Sequence, residues 1–296
     1  MRIYVEYAVV KSVLFLAKLL PIRVIYRLFG VLTALFFKLD RRRRSLTLKN
    51  LALAFPEIEA SSRLALAKKA YASVGTTLAE VLLMYHRRFD IDAAVENLDE
   101  ALEEIHARFS DNRKGILLLT AHFGNWELLA HFLAKHGYPM VVIGRSGNNR
   151  LIEQYITAPF RSLYGNALAN KSQAINAILR TLKAKGIAGM LIDQKASGAN
   201  SIKASFFGHP ADTVSSTALL KRRYDPPVIP LFMARQASGR YRLLIGRDAE
   251  LALSEAWDET EKIARLTQHY NDIIEAVVKE YPEQWFWMHN RWRIRP

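Results

Sequence analysis

The chain contains no cysteine, which excludes disulfide frameworks, thiolate nucleophiles and cysteine-ligated zinc together, and nothing in it requires an oxidising compartment. Glycine-rich phosphate loops are missing as well. Neither G-x-x-x-x-G-K-[ST] nor G-x-G-x-x-G occurs, so an ATP or dinucleotide enzyme is not expected. Ser146, in Gly144-Arg-Ser-Gly147, lacks the spacing of a serine-hydrolase elbow. H-E-x-x-H is absent, and His131 and His136 are five apart, off a common helical face, so they do not join His122 as metal ligands and no metal is expected. Long apolar runs are also lacking. The longest uncharged one in the first 50 residues, 28–37, is about half of the 18 to 20 residues a spanning helix needs. A secretory leader fits poorly, because Lys11 and Lys18 interrupt the apolar region and no small-x-small cleavage site follows.

Acid is the remaining shortage: 28 Asp+Glu face 42 Lys+Arg, a formal charge of +14. Such a balance calls for a polyanionic partner, and nucleic acid, anionic lipid and an acidic carrier protein are the usual candidates. Residues 1–50 alone hold eleven Lys and Arg against Glu6 and Asp40, interleaved with apolar residues and ending in Arg41, Arg42, Arg43 and Arg44. That pattern predicts two helices broken at Pro21 that lie in or dip into a membrane, with basic side chains snorkelling to phosphates and the arginine run at the cytosolic interface. No zinc-finger or RRM signature accompanies the charge, so nucleic acid is not expected. Residues 1–45 therefore read as a membrane-anchoring segment and 46–296 as a catalytic domain.

The body of the chain reads as α/β. Helical spacing of Leu64, Ala67, Tyr71, Val74, Leu78, Val81 and Leu82 predicts a long helix over 61–86, capped by Ser61 or Ser62. Short apolar runs at 115–121, 140–144, 187–192, 228–233 and 241–245 predict strands. Helix-length patterns at 126–136, 149–164, 171–185 and 214–224 lie between them, with a last helix over 259–280. This alternation predicts a mixed, largely parallel central sheet covered by helices, whose ligands sit at the carboxyl ends of the strands.

At the first such end stands His122-Phe-Gly-Asn-Trp-Glu127. In one unbroken helix His122 and Glu127 would lie roughly 140° apart. A turn at Gly124-Asn125 instead leaves His122 on the strand end, makes Asn125 the helix cap and puts Glu127 in the first helical turn. A carboxylate accepting from one imidazole nitrogen leaves the other free as a base toward a hydroxyl. The alternative is a satisfied histidine after a core strand.

These residues resemble the H-x4-(D/E) motif of glycerolipid acyltransferases and, in the Glu form, the lipid A late acyltransferases that add secondary acyl chains to lipopolysaccharide precursors. The resemblance extends to Gly144-Arg145, Asp193-Gln194, Phe206-Phe207-Gly208-His209-Pro210-Ala211 and the ending from Pro282 to Trp292. It implies a glycerolipid acyltransferase-like fold with N-terminal membrane-associated helices, and O-acyl transfer from an acyl thioester, preferably on acyl carrier protein. The acceptor it implies is a hydroxyl of a lipid A precursor, at the cytoplasmic face of a bacterial inner membrane, with no cofactor. His122 would be the base and Glu127 its orienting partner, with no acyl-enzyme. Arg145 would hold an oxyanion or a phosphate, Asn125 would bind substrate, and Asp193 and Gln194 would take an active-site or acceptor-binding role. Phe207 would line an acyl groove and Arg291, with Arg293 and Arg295, would bind lipid phosphate or the carrier. Two alternatives stay open: another glycolipid or phospholipid acyltransferase using acyl-CoA, and a non-catalytic protein binding anionic lipid or nucleic acid.

Overall fold

The computed structural model describes residues 1–296 except 111, 145–146, 171–172, 199–200 and 295–296. Five consecutive buried residues form β1 (Ile116–Thr120) within a six-stranded sheet. Side chains alternate between the two faces of a strand. Ile116 and Leu118 therefore join one core with Ile105, Leu128 and Phe132, while Leu117 and Leu119 join another with Tyr71, Ile178, Tyr270 and Ile274. Burial on both faces is why this strand reads as an unbroken apolar run rather than an alternation.

The strands that follow are β2 (Met140–Gly144), β3 (Ala167–Asn170), β4 (Ile187–Leu191), β5 (Ser201–Phe206), β6 (His209–Val214), β7 (Val228–Arg235) and β8 (Tyr241–Ile245). The sheet order is β3-β2-β4-β1-β7-β8, parallel throughout except for β8, and β5 and β6 form a separate antiparallel hairpin. The expected largely parallel α/β architecture is therefore present. The sequence patterns do not reveal β3, a short half-exposed edge strand, or the hairpin, whose strands mix polar and apolar residues.

Eleven α-helices are described among these residues: α1 (Arg2–Leu19), α2 (Ile22–Leu39), α3 (Arg41–Ala54), α4 (Ala60–Tyr85), α5 (Leu98–Ser110), α6 (Trp126–Lys135), α7 (Arg150–Ile152), α8 (Ala158–Arg161), α9 (Ala174–Lys183), α10 (Ser216–Tyr224) and α11 (Glu259–Glu280). Pro21 separates α1 from α2 as its fixed φ and missing N–H require. The long helix α4 starts from Glu59, ahead of the two serines expected to cap it. The pattern over 149–164 resolves into α7 and α8 around a π turn, Glu153–Thr157. The arginine run begins a helix of its own, because the Asp40 side chain accepts from the Arg43 amide at 2.9 Å and caps α3. Residues 45 and 46 both lie inside that helix.

The N-terminal helices are fixed to the body by one side only. Ile25 of α2 is fully buried against Ala79 and Leu83 of α4. Gly75 allows the close approach, since a Cβ there would meet Thr33 Oγ1 at 2.6 Å. Arg88 holds the end of α1 by donating to the Lys18 and Leu20 carbonyls at 2.9 and 2.8 Å. Outward, Val5, Val9, Val13 and Leu16 of α1 and Val24, Leu28, Val31, Leu32 and Leu35 of α2 are exposed. Among the described residues no helix is long and apolar enough to cross a membrane.

Candidate active site

Strand register brings the first two functional side chains together. Parallel pairing sets Thr120 of β1 opposite Leu191 of β4, so the residues two further along each strand, His122 and Asp193, emerge side by side at the carboxyl edge of the sheet. His122 Nδ1 lies 2.9 Å from Asp193 Oδ1, and the His122 amide donates to Asp193 Oδ2 at 3.0 Å. Trp285 Nε1 donates to the same Oδ2 at 2.9 Å. Burial opposes ionisation of Asp193, but the facing imidazole and these donors outweigh it and hold its carboxyl below the usual range. An ionised carboxylate only accepts hydrogen bonds, so the Nδ1 of His122 carries the proton and Nε2 carries the lone pair.

Burial pushes the His122 pKa down, yet Asp193, with Glu127 behind it, more than compensates and raises it. The His122 side chain keeps 25% of its surface exposed while Asp193 keeps 1%. The pair thus has a sealed carboxylate and an open imidazole, the arrangement of an oriented base. Trp126 lies edge-on to the ring at 5.3 Å between centroids.

The turn between strand and helix is clamped on both flanks. Gly124 has a φ of 55°, and a Cβ there would sit 1.9 Å from the Met233 carbonyl oxygen of β7. The C-terminal segment closes the other side: the Gly124 amide donates to the Gln284 carbonyl at 2.9 Å and the Phe286 amide to the His122 carbonyl at 3.1 Å. Gly124→Ala combines left-handed strain with a backbone collision. The expected loss is more than about 4 kcal/mol of folding stability, read by denaturant unfolding; a variant as stable as the parent would contradict this packing.

Glu127 falls in the first turn of α6, as expected, but its hydrogen-bond partner is not His122. Arg161, at the end of α8, donates to it through Nη2 to Oε1 at 2.7 Å and Nε to Oε2 at 3.3 Å. The carboxylate bonded to His122 is Asp193, which corrects the expected His122–Glu127 pairing at the level of geometry. Glu127 still acts on His122 through space, pulling its pKa upward while Arg161 pushes it down. Nothing in the sequence around Arg161 marks it. The π turn before it, a feature found disproportionately near functional sites, is visible only once the chain is folded.

Three further expectations change with burial. Asn125 is fully buried; its Oδ1 accepts from the Leu128 amide at 2.9 Å and its Nδ2 donates to Glu80 at 2.8 Å. It caps α6, as its position predicts, and has no polar atom left for substrate. Phe207, 7% exposed, sits in an aromatic cluster with Phe55, Phe206, Trp287 and Trp292 rather than on a groove wall. Arg291 is wholly buried, donating to the Asp212 carbonyl and to Thr213 Oγ1, both at 2.6 Å, and burial pushes its pKa down to about 10. It ties the β5–β6 hairpin to the C-terminus and does not face a lipid phosphate. Gln194 follows Asp193, half-buried, with no side-chain hydrogen bond among the described residues. Arg145 and Arg295 lie outside the described residues.

His289 was not among the expected site residues. Its Nε2 accepts from the Lys195 amide at 3.0 Å, just beyond Asp193, and burial drives its pKa down to about 4 despite that carboxylate. Asn50 of α3 donates to the Trp287 and His289 carbonyls, both at 2.8 Å. A neutral histidine and a buried amide thus fix the loop that carries Asp193. Among the described residues no group of three or more His, Cys, Asp or Glu side chains is placed to hold a metal. His136 instead meets Asp92 at 3.0 Å and His131 is buried against Phe160.

The chain matches the profile described as bacterial lipid A biosynthesis acyltransferase over residues 1–294. It is 28% identical over 291 residues to a lipid A biosynthesis lauroyltransferase of Escherichia coli, covering 96% of this chain and 90% of that protein. A palmitoleoyltransferase of lipid A biosynthesis from the same organism is 27% identical over 265 residues, 86% of this chain and 80% of the relative. A lipid A biosynthesis acyltransferase of Haemophilus influenzae is 26% identical over 267 residues, 88% and 80% of the two chains. An oriented imidazole at the sheet edge and a match along nearly the whole length lead to one conclusion: the chain belongs to the bacterial lipid A biosynthesis acyltransferase family, and is an acyltransferase.

Proposed function

We propose that the protein moves a fatty acyl chain from an acyl carrier protein thioester to a hydroxyl of a lipid A precursor, with His122 as general base. The observation that carries the chemistry is the His122 ring, held at Nδ1 by a buried carboxylate and open at Nε2. The acceptor hydroxyl oxygen bonds to the thioester carbonyl carbon as its proton passes to Nε2. The C–S bond then breaks, and the imidazolium returns the proton to the departing thiolate. General-base assistance of this kind contributes roughly 10²- to 10⁴-fold. Asp193 fixes the tautomer and stabilises the imidazolium. Arg161, aligned by Glu127, supplies positive charge toward the oxyanion or an acceptor phosphate, a role expected of Arg145. The thioester is already activated, so the scheme needs no metal or organic cofactor.

The exposed apolar faces of α1 and α2, with Arg23 and Arg27 among them, fit a monotopic attachment to an anionic bilayer, at the cytoplasmic face of the inner membrane. Beside them Arg41, Arg44, Ser45, Leu48, Lys49, Ala52 and Arg63 line a groove of about 530 Å³. Replacing Arg41, Arg42, Arg43 and Arg44 by Ser is expected to weaken binding to vesicles containing phosphatidylglycerol by about tenfold or more at low ionic strength. The difference should shrink as salt rises. Binding of the parent that is identical at low and high salt would contradict the electrostatic part.

The assay for the acceptor is mass spectrometry after offering the purified protein acyl carrier protein and CoA thioesters with a lipid A precursor or a lysophospholipid. One added acyl group on the lipid A precursor, faster from the carrier protein, is the expected result. Acylation of the lysophospholipid alone would overturn the acceptor; a preference for CoA would overturn the donor.

A further inference from the structure

Glu80, near the C-terminal end of α4, is a carboxylate with 2% exposure that the chemistry above does not use. Three donors converge on its Oε2: Asn125 Nδ2 at 2.8 Å, Arg235 Nη2 at 3.0 Å and the Tyr241 hydroxyl. Arg235 also stacks its guanidinium over the Tyr241 ring, 4.9 Å from the centroid. Each donor comes from a different part of the fold: the catalytic turn, the end of β7 and the start of β8. Burying a charge is costly unless it is paired and hydrogen-bonded; Arg235 pairs this one, and the Asn125 amide and the Tyr241 hydroxyl add their hydrogen bonds to it.

We infer that Glu80 is a positioning residue for the catalytic turn, acting through Asn125 and, by a second route, through Arg235. The direct route is short. With Nδ2 held by Glu80, the Asn125 side chain presents Oδ1 to the Leu128 amide, which fixes the start of α6. The two residues that follow the cap are Trp126, which packs on the His122 ring, and Glu127, which aligns Arg161. On the second route the Arg235 backbone exchanges two hydrogen bonds with the Gln284 side chain, at 2.8 and 2.7 Å, and the Gln284 carbonyl receives the Gly124 amide. Thr77, one turn before Glu80 on α4, donates to the Gly124 carbonyl at 3.0 Å. The helix that carries α2 on one side thereby grips both ends of the Gly124-Asn125 turn on the other. A negative charge at residue 80 sets which way the Asn125 amide faces, because Oδ1 and Nδ2 would otherwise be interchangeable in shape. A flipped amide would turn its donor on the Leu128 amide and loosen the cap.

The experiment exchanges the two functional groups. Glu80→Gln removes the charge, Asn125→Asp sets two carboxylates against each other, and the double variant restores one carboxylate facing one amide with the charge moved to residue 125. In the acyl transfer assay, on which this part rests, each single substitution is expected to lower kcat per folded molecule about tenfold or more. KM for the thioester should change less than about twofold, and the double variant should recover at least about tenfold over the product of the singles. A purely structural role would lower thermal stability and leave kcat per folded molecule, and the pH at which activity rises, unchanged. The inference is overturned if Glu80→Gln keeps kcat within twofold of the parent, or if the double variant loses as much as the singles combined. Tyr241→Phe, which removes one donor and keeps the ring, serves if Glu80→Gln does not fold; a kcat equal to the parent's would count equally against the inference.

Hydrogen exchange over residues 122–129 separates this inference from the activity on which it rests. Faster exchange of the Leu128 amide in Glu80→Gln, restored in the double variant, is expected whether or not a lipid A precursor is the acceptor. Unchanged exchange overturns the link between Glu80 and the turn. A parent protein that transfers no acyl group while this exchange pattern holds would instead sink the proposed function.

Discussion

Asp193→Asn is expected to lower kcat by roughly 10³- to 10⁴-fold, comparable to the loss when an asparagine replaces the orienting aspartate of a serine-protease triad. Asp193 accepts three hydrogen bonds: from His122 Nδ1, from the His122 amide and from Trp285 Nε1. An asparagine there must turn its amide nitrogen on one of these donors. If it faces Nδ1, the imidazole adopts the other tautomer and Nε2 carries the proton, so the base toward substrate is lost. If it faces the other two, a buried donor is left unpaired, at a cost of about 1 to 3 kcal/mol. The KM for the thioester should change little, because Asp193 is sealed behind the imidazole. Steady-state kinetics on the folded variant decide it, and a kcat within tenfold of the parent would remove Asp193 from the mechanism.

The same pair fixes the sign of two pH effects. A base must be unprotonated, so a His122 pKa above its ordinary value of about 6.5 delays the rise of activity to higher pH. Without the negative charge of Asp193 the residual activity should rise at lower pH. For stability, the depressed carboxyl of Asp193 contributes above the unfolded value of about 3.9 and its contribution is lost as pH falls through the folded pKa. The raised His122 contributes fully below about 6.5 and its contribution is lost as pH rises through its folded pKa. The pair therefore supports the fold best between those limits.

Glu127→Gln and Arg161→Ala are expected to lower kcat by about 10² each and to move the pH profile in opposite directions. Removing the Glu127 charge leaves Arg161 near His122 without its counter-ion, so the imidazole loses a proton more easily and activity should rise at lower pH. Removing Arg161 leaves a half-buried carboxylate that holds the imidazolium more tightly, so activity should rise at higher pH. Opposite shifts would show that both groups act on His122 through their charge. Shifts in one direction, or none, would reduce the Glu127–Arg161 pair to a structural contact.

The sequence makes the strands and helices of the sheet legible because β1, β4 and β7 are apolar runs buried on both faces, bounded by turn residues. His122, Gly124 and Asn125 are readable from local chemistry alone, since a strand end, a left-handed glycine and a capping amide occupy consecutive positions. Glu127 falls in the first helical turn, as the Gly124-Asn125 turn predicts, but its hydrogen-bond partner is Arg161 and not His122. Asp193 is 71 residues from His122, and only the order β4-β1, which no local pattern encodes, sets them side by side. Arg291 and Phe207 are buried, against expectation, for a related reason. A cation among aromatics looks like a surface patch in one dimension, whereas here its guanidinium satisfies carbonyl and hydroxyl oxygens inside the hairpin. Arg161, His289 and Glu80 carry no local mark; each acquires its role through a partner on another element.

We propose the His122 imidazole, oriented by Asp193, as the base of the acyl transfer. The most direct measurement is single-turnover acyl transfer from an acyl carrier protein thioester to a lipid A precursor, followed by mass spectrometry, with the parent, His122→Ala and Asp193→Asn at matched folded concentration. One acyl group added by the parent, with rates at least about 10²-fold lower in His122→Ala and Asp193→Asn, is the expected result. Acylation by His122→Ala at the parent's rate would contradict it.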